Sequence, residues 1–180
     1  KHTDTMVSNE SADIVRMLNA GFGDLASGPD LYPADLRDQI DALNDHIYPR
    51  LNNGVYRAGF ATTQLAYEEA FTDVFATLDE LDDRLSDGRD FLFGSRFTET
   101  DIRAFVTLVR FDAAYHGLFK TNLRRIADYR HLQAYMLRIL ALPGVRETVS
   151  IDHIKRGYYS VKALNPLQLV PVGPQLDWDI

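Results

Sequence analysis

The chain has 180 residues, 46% of them hydrophobic and 25% charged, the composition of one globular domain with a sizeable core. Its net charge of −7 argues against nucleic acid or an anionic membrane surface as the main partner. With no cysteine, these residues supply neither a disulfide nor a thiol nucleophile, and the apolar runs are too short to span a membrane or to read as a secretory signal, which leaves a cytoplasmic protein as the expectation.

In chain order, residues 5–7 ("TMV") read as the end of a strand. Ile14, Val15, Met17 and Leu18 then supply the apolar face of a short helix. The stretch "NAGFGDLASGPDLYP" is rich in Gly, Pro, Asp and Ser and reads as a linker. This divides the chain into a remnant of a preceding domain (1–20), a linker (21–32), a helical domain (33–160) and an extended tail (161–180). Pro33 sits where a first helical turn tolerates proline, and Leu36, Ile40, Leu43 and Ile47 follow at helical spacing. "NNG" at 52–54 is a turn. Thr62 or Thr63 can cap the next helix, whose stripe is Tyr67, Ala70, Phe71, Val74, Leu78, Leu81 and Leu85.

The clearest local signal lies in "FLFGSRFTETDIRAFVTLVRF". Thr98 and Asp101 form a capping box, with Phe97 and Ile102 as the matching hydrophobic staple. Such a start stabilises a helix by about 1–2 kcal/mol, and the helix behind it is apolar enough to be central. "HLQAYMLRILALPG" is a further helix, stopped by Pro143 and Gly144. The tail, with Pro166, Pro171 and Pro174, is expected to wrap on the surface with Trp178 as an anchor. The result is a βα remnant followed by an all-α bundle of five or six helices.

Read locally, the candidate functional residues have ordinary explanations. Ser8, Asn9 or Ser11 can cap the first helix. Glu10 and Ser11 stand where free N–H groups and the helix dipole favour an anion. Most of the nine tyrosines must be structural. His46, His116, His131 and His153 have no metal-ligand spacing, so no metal is expected. "LDELDDRL" reads as a solvated acidic helix face, and "NLRRIADYR" as solvated or ion-paired.

The ordered segments "NNGVYRAGFATTQLAYEEA", "FLFGSRFTETDIRAFVTLVRFDAAY", "NLRRIADYRHL", "LPGVRETV" and "DHIKRGYY", followed by "NP" and "VPVGP", resemble the glutathionyl-hydroquinone reductases, the Xi-class, omega-like branch of the glutathione transferases. The resemblance runs from Ser8 to Pro174. It implies a glutathione transferase C-terminal-like bundle preceded by the βα end of a thioredoxin-like domain. In that family the thioredoxin-like domain carries the catalytic cysteine in a Cys-Pro-Trp type motif. No such motif is present here, so these residues alone are expected to be inactive by the family mechanism.

By the same resemblance, Ser11 takes the α-carboxylate of glutathione and Glu10 its ammonium. Tyr56 is the proton donor or acceptor, and Tyr115 and Tyr158 favour the cysteine thiolate. Tyr159 competes with Tyr158 for that assignment; Tyr158 keeps the spacing from Asp152-His153-Ile154. The implied co-substrate is glutathione, with no bound cofactor, the substrates are aromatic quinone or hydroquinone conjugates, and the assembly is a homodimer. The alternatives are a non-catalytic helical interaction or oligomerisation domain, and a related transferase using another low-molecular-weight thiol.

Overall fold

The computed structural model describes residues 5–25, 28–176 and 178. Parts of the expected remnant (1–4), linker (26 and 27) and tail (177, 179 and 180) lie outside the described residues.

The apolar periodicities become helices: α1 (Ser11–Ala20), α2 (Arg37–Ile47), α3 (Gly54–Gly59), α4 (Gln64–Arg84), α5 (Glu99–Arg110), α6 (His116–Leu118), α7 (Arg130–Leu140) and α8 (Ile151–Tyr159). α2 and α5 each run on into a π-helical turn, Tyr48–Asn52 and Phe111–Tyr115. The bundle therefore holds seven helices among the described residues. α3 and α6, at 6 and 3 residues, are too short to show an apolar repeat in the sequence.

α5 is the centre of the bundle. Its core face (Ala104, Phe105, Leu108, Val109) meets Val74, Leu78 and Leu81 of α4 and Leu132, Met136 and Ile139 of α7 in one cluster. Its polar first turn is buried as well, and survives because every buried acid has partners. Asp101 accepts from Thr98 N–H at 2.8 Å, Thr98 hydroxyl at 2.9 Å, Leu92 N–H at 2.9 Å and Tyr135 hydroxyl at 2.8 Å. The capping box thus also staples α7 and the 91–97 turn to α5. Phe97 packs edge-on to Phe91, while Ile102 lines a cleft on the other side.

Thr63 caps α4, accepting from Ala66 N–H at 3.2 Å. The α4 stripe is buried from Ala70 to Leu85, with Tyr67 and Phe71 at its partly buried edge. The acidic run "LDELDDRL" is not simply solvated. Asp82 accepts from the His131 and Leu132 N–H groups at 2.9 and 2.8 Å, capping α7 from another helix, and Asp79 pairs with Arg124 at 2.5 Å.

Three expectations need correction. Residues 5–7 form no strand: Thr5 is in a bend, residues 6–10 have no regular structure, and Met6 and Val7 are exposed. A strand needs a neighbouring edge to satisfy its backbone, and the ladder contacts among the described residues are two isolated bridges at 91–96. The α1 N-cap is Glu10, with no side-chain capping bond; Ser8 instead accepts from Glu10 N–H at 3.1 Å and donates to Asp13 at 3.0 Å. Pro33 lies in the turn ahead of α2, its carbonyl accepting from Leu36 N–H at 2.9 Å.

α1 has no buried residue, so apolar packing does little to hold it. Arg16 docks it: the guanidinium meets Glu99 at 2.8 Å and Asp41 at 2.5 Å, and lies 3.9 Å above the Tyr32 ring. Glu99 also accepts from Asn44 at 2.9 Å, so one buried acid ties α1, α2 and α5 together. The tail folds back on α8: Asn165 donates to the Tyr159 and Leu169 carbonyls, Lys155 donates to the Val172 carbonyl at 2.8 Å, and Trp178 packs against the core.

Candidate functional site

Three separate elements deliver a phenol to one point. Tyr56 stands in the first turn of α3, Tyr115 closes the π-helical turn after α5, and Tyr158 is the penultimate residue of α8. The Tyr158 hydroxyl lies 2.6 Å from that of Tyr56 and 2.7 Å from that of Tyr115; the Tyr56–Tyr115 separation is 3.5 Å. Either oxygen of each pair can donate. Tyr159 points elsewhere: a side chain on Gly117 would meet its hydroxyl at 2.9 Å.

Phe119 floors the cluster, stacked on Tyr115 with centroids 5.2 Å apart and edge-on to Tyr56 at 5.3 Å. α3 reaches this ring because residue 59 is glycine; a Cβ there would fall 2.4 Å from the Phe119 ring.

Burial grades the three phenols. Tyr115 is buried at 2% exposure, Tyr158 is partly buried, and Tyr56 is 37% exposed at the mouth. Burial, helped by hydrogen bonds to Tyr158 and Tyr56, pushes Tyr115 well above the ordinary phenol range. Burial also pushes Tyr158 up to about 12. These two phenols therefore stay protonated at neutral pH and can act as hydrogen-bond donors.

The phenols open into a cavity of about 460 Å³ whose lining includes Ser11 and Val15 of α1, Tyr56, Val106, Arg110 and Tyr158. Ser11 also borders a neighbouring cavity of about 660 Å³, with Glu10, Arg16 and Arg103. The residues predicted at the α1 start and the three tyrosines thus border one continuous region. Glu10 and Ser11 are exposed on its edge.

Residue-level reading missed Arg103 and Arg110. They stand seven apart on α5, two turns on the face away from the core, and both line the cleft. Two arginines at that spacing, on one face of a helix whose opposite face is apolar, were the available signal. No group of three or more His, Cys, Asp or Glu among the described residues could hold a metal. Nor is any helix among them long and apolar enough to cross a membrane.

The profile described as "Glutathione S-transferase, C-terminal domain" matches residues 64–138. The glutathionyl-hydroquinone reductase PcpF of Sphingobium chlorophenolicum is 53% identical over 171 residues, covering 94% of this chain and 54% of that protein. The helical bundle is that of a glutathione transferase C-terminal domain. Among solved structures, the glutathione-bound structure of YqjG from Escherichia coli K-12 matches with a TM-score of 0.93 at 46% identity, covering 96% of this chain and 56% of that one. Glutathione S-transferase Xi from Phanerochaete chrysosporium matches with a TM-score of 0.91, also at 46% identity, covering 97% of this chain and 57% of that one. The chain spans about half the length of these relatives, and what it aligns with is the glutathione transferase helical bundle.

Proposed function

We propose that the chain is the helical half of a glutathionyl-hydroquinone reductase, and that its cleft holds the aromatic part of the conjugate beside a sulfur supplied by a thioredoxin-like domain outside these residues. The observation that carries the reading is the convergence of three phenols on a cavity that also borders Ser11. The relatives' names point the same way: PcpF and YqjG are both glutathionyl-hydroquinone reductases.

Glutathione binds across the start of α1. Its α-carboxylate takes the Ser11 N–H and hydroxyl, and its ammonium pairs with Glu10. In the reaction a cysteine thiolate attacks the sulfur of the conjugate. The carbon–sulfur bond breaks with its electron pair on the ring carbon, that carbon takes a proton, and a protein–glutathione mixed disulfide remains. A second glutathione thiolate attacks the disulfide, releasing glutathione disulfide and the protein thiolate. The ring gains the two electrons that the two glutathione sulfurs lose.

Counting protons assigns the tyrosine roles. Three hydroxyls carry three protons, and the two short contacts use two. With the most deeply buried phenol as first donor, Tyr115 donates to Tyr158 and Tyr158 to Tyr56. The remaining proton is on Tyr56, the exposed member at the mouth, and is the one available to the ring carbon. The same O–H, backed by the other two, stabilises the thiolate before attack. A domain used only for association has no need for three phenols facing a cavity.

The test is turnover of a glutathionyl-hydroquinone by full-length protein. Tyr56→Phe should lower kcat on the order of 10²-fold, as expected for loss of a general acid. Unchanged turnover in that variant would remove Tyr56 from the role.

A further inference from the structure

The chain carries 26 acidic residues, yet among the described residues none lines the tyrosine cavity or the cavity of about 510 Å³ that adjoins it across Val106, Arg110 and Tyr158. The second cavity lies between α5 and α8. Its walls are apolar (Phe105, Val109, Val149, Ile154), and its polar groups include Arg110 and His153. Arg110 therefore stands on the ridge between the two spaces, facing both.

The other arginines of the cleft are neutralised. Arg16 pairs with Glu99 and Asp41, and Arg103 lies 3.5 Å from Glu99. Arg110 has no acidic partner in any ion pair among the described residues. Its Nη1 donates to the Val106 carbonyl one turn back, which leaves the rest of the fork and the whole charge for something in the cleft. An uncompensated guanidinium beside apolar walls and donor phenols is a site for an aromatic anion.

We infer that Arg110 is the specificity-determining cation of the cleft: it pairs with an anionic substituent, of the carboxylate class, on the hydroquinone ring, and the α5–α8 cavity takes that side of the ring. This rests on reading the tyrosine cavity as the pocket for the aromatic part. A carboxylate could also come from glutathione itself. The ring is favoured because Glu10 and Ser11 border the cavity on the other side, toward α2, whereas Arg110 faces α8.

The test is direct binding to the full-length protein, which needs no turnover. Gentisate, a hydroquinone carboxylate, and methylhydroquinone are titrated against the wild type, Arg110→Met and Arg110→Lys, following tyrosine fluorescence, with far-UV circular dichroism to verify folding. Glutathione is titrated in parallel. Gentisate should bind about 10-fold tighter than methylhydroquinone to the wild type, as one charge-assisted pair provides. That preference should vanish in Arg110→Met, return in part with Arg110→Lys, and weaken as salt is raised.

Equal affinities in the wild type, or a preference that survives Arg110→Met, overturn the assignment. A loss of glutathione affinity in Arg110→Met with the gentisate preference intact also overturns it, since the anion is then the glycyl end of glutathione. Failure of the reductase reading is a separate result: full-length protein that turns over neither a carboxylated nor a neutral conjugate.

Discussion

Asp101→Ala should be the most damaging single truncation at the helix start that organises the bundle. The residue is fully buried, and its carboxylate is the acceptor for four donors: two N–H groups, Leu92 and Thr98, and two hydroxyls, Thr98 and Tyr135. Alanine leaves these donors without that acceptor. Tyr135 is 1% exposed and cannot turn to water. A buried donor left unsatisfied costs about 1–3 kcal/mol, and loss of the cap alone about 1 kcal/mol. Partial relaxation and water entry keep the total at about 3–5 kcal/mol, a large share of a typical domain stability of about 5–15 kcal/mol. The assay is urea unfolding followed by far-UV circular dichroism, with Thr98→Ala as the comparison. Thr98→Ala removes only the hydroxyl and should cost about 1 kcal/mol. The midpoint of Asp101→Ala should fall at least twice as far, with an unchanged slope. If the two variants shift the midpoint equally, the carboxylate is acting as a simple cap, and its links to α7 and the 91–97 turn contribute nothing.

The pH dependence of the tyrosine cluster follows from burial. Tyr158 is pushed up to about 12 in the folded chain against an ordinary value near 10, so its contribution to stability is whole below about pH 10 and is lost as pH rises from 10 through 12. An absorbance titration at 295 nm should show that Tyr158→Phe removes a late phenolate step; removal of a step near pH 10 would contradict the burial account. Glu99→Gln should loosen α1 selectively, because Arg16 is the main tie of a helix with no buried residue. Amide exchange in α1 should quicken about 5–10-fold, while the core of α5 and α7 exchanges at its former rate; equal quickening throughout would mean that Glu99 is simply a global stability residue.

The helices with a long apolar repeat were legible from periodicity. The α4 stripe, the α5 capping box and the turn residues that end the helices are local features, set by neighbours three or four residues apart. Even here the two π-helical turns were invisible, since they form where tertiary packing shifts the register at the ends of α2 and α5. The strand expected at 5–7 was not found, because a short apolar run becomes a strand only when another strand pairs with it. The acidic run of α4 looked like a solvated face because the helix N-terminus that Asp82 caps lies about fifty residues away in the chain.

The site divides in the same way. Resemblance to a family pointed at Tyr56, Tyr115 and Tyr158, but nothing in their spacing along the chain brings them together: they are 59 and 43 residues apart. Side-chain chemistry, local helical pattern and the absence of a thiol are properties of neighbouring residues and of composition, so they can be read from a string of letters. The meeting of three hydroxyls, the sharing of Glu99 by three helices and the charge of Arg110, which has no acidic partner among the described residues, depend on how α1, α2, α3, α5 and α8 cross. That crossing is set by the close packing of many distant side chains against one another, in which no single stretch of the chain records the outcome.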